Sequence, residues 1–183
     1  MSTAVIETIP VRALFEDALR ASFTDLDIAD RGTVGHLGDV LARFASAGEL
    51  WPLGVTGARL ESLGDRIGEI QRSWRLDGGH FDPRREVALR QGIGDYTLFM
   101  SGFFWEQVRA ASMTRHYVRE GKRAYRFVAA HHRAHGRPEA RRFATLAARF
   151  ETCAAVLSYM RDVHLGADFA PWPHRVFARI TGR

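Results

Sequence analysis

Apolar residues recur at steps of three and four along almost the whole chain, and no stretch alternates apolar and polar long enough to form a half-buried strand. The first such pattern predicts a helix over 10–22, with Val11, Leu14, Phe15, Ala18 and Leu19 on one stripe. A second runs from Thr33 to Ala47, where Val34, Leu37, Leu41 and Phe44 share a face and Gly48 follows as a stop. After a loop over Glu49–Gly57 that contains Trp51-Pro52, a third covers 58–75. In it Leu60, Leu63, Ile67, Ile70 and Trp74 have the seam spacing of packed helices.

Asp77-Gly78-Gly79-His80 breaks the chain. Asp82-Pro83 then restarts it, because an Asp N-cap accepts from orphan amides while Pro at the first helical position loses no intrahelical bond. The helix this opens is expected from Pro83 to Gln107, bent near Ser101-Gly102. Another runs from Thr114 to His135 and is ended by Gly136. A further one starts at Pro138 and carries Phe143, Leu146, Phe150, Cys153, Leu157 and Met160 on one seam as far as His164. Ala170-Pro171-Trp172-Pro173 turns the chain into a short last helix through Val176, Phe177 and Ile180. The expected fold is therefore all-α, a single-domain bundle over residues 1–183 of about six main helices plus a short C-terminal helix.

Composition agrees with a globular chain: 183 residues, 46% of them hydrophobic and 26% charged. The single cysteine, Cys153, excludes an intramolecular disulfide framework. Met1 to Glu7 lacks the basic n-region of a secretory signal, and the longest strongly apolar window, Leu98–Trp105, is far too short for a transmembrane segment. A cytoplasmic location is expected.

The net charge of +5 conceals an asymmetry: residues 1–100 carry 11 basic and 15 acidic side chains, residues 101–183 carry 15 and 6. On the predicted 114–135 helix, Arg115, Arg119, Lys122, Arg126 and Arg133 fall within about 60° of one another at 100° per residue. Tyr117, Ala124, Tyr125, Val128 and His131 take the opposite side. Like charges four apart repel, so this stripe does not stabilise the helix that carries it. It is either neutralised by acidic side chains of the first half, solvated, or a binding face for an anion or nucleic acid.

Tyr117, Gly121 and Tyr125 line one face of that helix, and Gly94, Thr97 and Ser101 give the preceding helix a strip of small residues. Interior helical glycines cost stability, so their placement points to close backbone approach at a crossing of these two helices. A small pocket lined by Asp95, Phe99, Phe103, Tyr117, Tyr125 and His131 is the alternative use of the same residues. The run Gly94-Asp95-Tyr96-Thr97-Leu98-Phe99-Met100-Ser101-Gly102, followed by Tyr117-Val118-Arg119-Glu120-Gly121-Lys122-Arg123-Ala124-Tyr125, resembles a stretch of an uncharacterised bacterial all-helical protein family. The resemblance implies an all-helical fold and no particular function. Phe104-Trp105-Glu106 departs from that family, where a proline is expected near Trp105.

No Glu-x-x-His pair of the dinuclear bundles occurs, and neither His131 with His135 nor His116 with Glu120 comes with a third and fourth ligand, so no metal and no cofactor is expected. His131 alone is a candidate axial haem ligand. Cys153 sits at a seam position like a small hydrophobe, and nucleophile elbows, phosphate loops and dinucleotide fingerprints are absent, so no catalytic residue is identified. The leading expectation is a non-enzymatic protein-interaction or assembly subunit, with a protein partner or homo-oligomer, motivated by the aromatic cluster Phe99, Phe103, Phe104 and Trp105. The alternatives are anion or nucleic-acid binding through the basic stripe, and a small-molecule or haem/metal-binding bundle around His131, Tyr117 and Tyr125.

Overall fold

Between Ile93 and Phe103 every side chain except Ser101 is buried, so the helix that carries them has to be surrounded. It is, in the computed structural model, which describes residues 11–30, 32–45, 52–54, 56–76 and 82–165. The described helices are α1 (Val11–Asp25), α2 (Val34–Phe44), α3 (Leu63–Leu76), α4 (Pro83–Phe103), α5 (Trp105–Ala110), α6 (Thr114–Ala134), α7 (Glu139–Ala148) and α8 (Phe150–Tyr159). A π-helical turn, Met160–His164, continues α8. There is no strand among the described residues; one isolated antiparallel bridge, Leu53 to Arg59, closes the turn before α3. The fold is an all-α bundle: α6, α8 and α3 pack around α4, α7 folds back on α6, and α1 pairs with α2 and reaches α8.

The seam positions of α2 and of the Phe143–Met160 series are buried as their spacing predicts. The boundaries differ in instructive places. Helix α3 begins at Leu63, not at 58, because Ser62 and Asp65 form a reciprocal cap in which Asp65 N donates to Ser62 Oγ at 3.1 Å and Ser62 N to Asp65 Oδ2 at 2.9 Å. The expected bend at Ser101-Gly102 is absent; the break comes at Phe104 (φ −123°), and Gly102 instead lets α8 approach, since a Cβ there would lie 2.5 Å from Leu157 Cβ. The expected 138–164 helix is interrupted at Arg149 (φ −109°), yet its apolar seam runs on across the break.

Helix α3 is also rotated from expectation. Trp74, assigned to its seam, is 51% exposed, whereas Arg66, Glu69 and Ser73 are buried. Charge can turn inward here because partners wait for it: the Arg66 guanidinium lies 4.2 Å over the Tyr96 ring, and Glu69 accepts from Arg72 and Arg85 at 3.2 and 3.1 Å. On α1, Val11 and Leu14 are likewise exposed, and Phe15, Leu19 and Phe23 form the inward face. Gly48, Trp51, Asp77–His80 and the expected C-terminal helix through Val176, Phe177 and Ile180 lie outside the described residues.

The glycine and tyrosine strips do meet. A Cβ at Gly94 would lie 2.6 Å from the Tyr125 ring, and one at Gly121 would overlap both the Phe150 ring and Thr97 Oγ1. That hydroxyl cannot yield easily, since it is shared between the carbonyls of Ile93 (2.7 Å) and Gly94 (3.0 Å). Gly121→Ala is expected to destabilise by about 1–3 kcal/mol through overpacking, more than the helix-propensity gain of up to ~1 kcal/mol returns. Gly92→Ala, where nothing lies within 4 Å of the new methyl, is expected to stabilise by about 0.5–1 kcal/mol. Urea unfolding of both variants checks the contrast, and equal midpoints would contradict it.

Candidate functional site

Asp95 stands inside the apolar run of α4 and has no exposure to water. A carboxylate in that position must be protonated or supplied with donors. Three side chains supply them. His36 Nε2 and the Tyr125 hydroxyl each lie 2.8 Å from Oδ1, and Arg43 Nη2 lies 2.5 Å from Oδ2. His36 and Arg43 are seven apart on α2 and therefore share one flank of it, while Tyr125 comes from α6. Burial pushes the Asp95 carboxyl up, but the charges and hydrogen bonds of His36 and Arg43 outweigh it and hold the group at about 2. Burial, and then the Asp95 charge, push the Tyr125 hydroxyl well above its ordinary value, so it stays a donor. With Nε2 given to the ionised Asp95, Nδ1 is the His36 nitrogen left for a ligand.

A cavity of about 520 Å³ opens beside this cluster, lined by His36, Asp39, Ala42, Arg43, Gln91, His132, Glu139, Arg142 and Phe143. It lies between α2, α4, the end of α6 and the start of α7. Phe143 backs it: His36 meets that ring edge-on at 5.3 Å, His132 stacks on it at 5.4 Å and 5°, and the Arg142 guanidinium lies 5.5 Å from its centroid. Three atoms of the lining residues, His132 Nδ1, Glu139 Oε2 and Arg142 Nε, are buried without a hydrogen-bond partner. Glu139 and Arg142 have the three-residue spacing of a helical ion pair, yet no ion pair joins them. Burial pushes His132 below its ordinary value, and the charges of Arg137 and Arg142 act with burial against Glu139.

The residues of the pocket expected from the sequence lie apart in the structure. Asp95 and Tyr125 do meet, but Phe99 and Phe103 stack on each other in the core, 5.2 Å apart. Tyr117 lies against Tyr96 two turns away along α6, and His131 sits at the end of that helix with its ring 4.2 Å from His135. The aromatic cluster that suggested an interaction surface is also interior, for Phe99, Phe103 and Phe104 are buried and only Trp105 is partly exposed. His36 and Arg43 were not singled out from the sequence. Two polar residues seven apart on the flank of a strongly apolar helix were the available signal.

The basic stripe lies along α6 with Arg115, Arg119, Arg126 and Arg133 exposed. Lys122 donates to both oxygens of Glu151 at 2.8 and 2.9 Å, and Arg119 pairs with its neighbour Glu120 at 3.0 Å. Among the described residues, Arg115, Arg126 and Arg133 make no ion pair and no acidic side chain of the first half pairs with the stripe. Burial pushes the Cys153 thiol up to about 12, which leaves it unreactive. Among the described residues no three His, Cys, Asp or Glu side chains gather as a metal site, and no helix is long and apolar enough to cross a membrane.

Asp95→Asn strands His36 and Arg43 and is expected to cost about 3–5 kcal/mol at neutral pH, the usual penalty for breaking a buried charge pair. Because the folded-state value of about 2 lies below the ordinary carboxylate value, this stabilisation is complete above about pH 4 and is lost as pH falls toward 2. Denaturant unfolding of both proteins across that range should show the gap narrowing, and a gap independent of pH would show that Asp95 is not ionised. The chain matches no protein-family model, no curated protein and no solved structure.

Proposed function

We propose that this bundle binds a small polar molecule in the cavity between α2, α4, α6 and α7. The observation that supports the reading is the gathering of unpartnered polar atoms, His132 Nδ1, Glu139 Oε2 and Arg142 Nε, on the residues of one cavity. Native interiors leave few such atoms, so three on the lining of one cavity mark it as a polar site. A volume of about 520 Å³ falls within the span of small-molecule sites. The walls are also set in advance: Asp95 fixes His36 and Arg43, and Phe143 fixes His132 and Arg142. Thermal unfolding with a chemically diverse panel of small metabolites tests the reading. At least one compound should raise Tm progressively with the logarithm of its concentration, and Arg142→Ala, with native circular dichroism, should lose that shift. No shift with any compound, or a shift that survives Arg142→Ala, overturns it.

A second reading rests on a different observation, the exposed Arg115, Arg126 and Arg133 of α6, which make no ion pair among the described residues. Arg115 to Arg133 spans roughly 27 Å of helix, so the stripe presents a linear cationic face to a phosphate backbone. An oligonucleotide of about 20 nucleotides should then bind with an affinity that falls steeply between about 50 and 200 mM salt. The double variant Arg119→Glu/Arg126→Glu should abolish it. Absent or salt-independent binding sinks this reading.

A further inference from the structure

The cavity beside Asp95 is lined by two carboxylates and two guanidinium groups, and one of each, both on α7, is uncommitted. Of the two carboxylates, Asp39 is taken by Arg12 at 2.8 Å, whereas Glu139 makes no ion pair among the described residues and its Oε2 is buried without a partner there. Of the two guanidinium groups, Arg43 is held on Asp95, whereas Arg142 has no carboxylate and its Nε is buried without a partner. Glu139 and Arg142 stand three apart on α7, the spacing at which they would ordinarily neutralise each other. Arg142 instead lies against the Phe143 ring, which also fixes the plane of His132.

We infer that the cavity takes a zwitterion of the α-amino-acid class, with its carboxylate on Arg142 and its ammonium on Glu139. The inference rests on the reading of this cavity as a binding site. A simple carboxylate would satisfy Arg142 but would bring a second negative charge up to Glu139. A simple amine would satisfy Glu139 and repeat the charge of Arg142. Only a molecule that carries both poles meets both groups at once, and the three-residue spacing of Glu139 and Arg142, which sets their Cβ atoms about 5–6 Å apart, favours poles that lie close together on the ligand. His132 and His36, on the same cavity wall, remain to meet a polar group between or beside the poles.

The test uses the full chain and three sets of probes in titration calorimetry: the twenty proteinogenic amino acids, the carboxylates acetate, propionate and butyrate, and the amines methylamine, ethylamine and propylamine. At least one amino acid is expected to bind ten-fold or more tightly than any of the carboxylates or amines. Arg142→Gln and Glu139→Gln, both with native circular dichroism, should each weaken it ten-fold or more. If propionate or ethylamine binds within three-fold of the best amino acid, the zwitterion assignment falls while the binding site stands. It falls in the same way if no amino acid binds but another metabolite does so in an Arg142-dependent manner. If nothing binds, both fall.

Discussion

A carboxylate sealed from water ties three helices into one arrangement. Apolar contacts between α2, α4 and α6 would tolerate sliding or rotation of a few degrees at little cost, whereas the Asp95 cluster would not. Its two oxygens take donors from α2 and α6, so any displacement of α2 strands a buried charge, at a cost comparable with a large part of a domain's whole stability. Because His36 and Arg43 lie two turns apart on the same flank, they fix the rotation of α2 about its own axis as well as its distance from α4. The cavity lies against this cluster. His36 and Arg43, held by Asp95, form one wall of that cavity.

A second group of buried charges follows the same logic on another side of α4. Glu69 is enclosed by Arg72 and Arg85, and Arg66 lies on the Tyr96 ring. Helix α3 therefore meets the core with a mixed face of charge and aliphatic carbon, and Trp74 is left to solvent. The pattern suits a chain whose basic residues are almost all arginine, since a planar, weakly hydrated guanidinium stacks on aromatic rings and tolerates partial burial better than an ammonium does.

These features also explain what could be read from the sequence. The seams of α2 and of the Phe143–Met160 series were legible because burial there is purely apolar, and periodicity reports apolar burial. The close α4–α6 crossing was legible because glycine inside a helix has a cost that packing must offset. The rotation of α3 was not legible, because a hydrophobic count assigns Arg66 and Glu69 to solvent, and only the fold reveals the groups that admit them. Half of the Asp95 cluster was visible, since a lone acid within an apolar run stands out and Tyr125 occupies the facing stripe. His36 and Arg43 lie more than fifty residues away in sequence, and no local pattern links them to Asp95. The break at Arg149 left no trace, because the seam passes through it unchanged.

The contact between Gly94 and Tyr125 has a consequence for how this chain can vary. The phenol ring lies where a side chain at position 94 would be, and its hydroxyl reaches the neighbouring residue, Asp95. Any side chain at 94 displaces the ring, and a ring trimmed to make room no longer reaches the carboxylate. Positions 94, 95 and 125 therefore form a single heritable unit: an evolutionary path away from this glycine must also abandon the buried acid, and with it the contacts that hold His36 and Arg43 at the cavity wall.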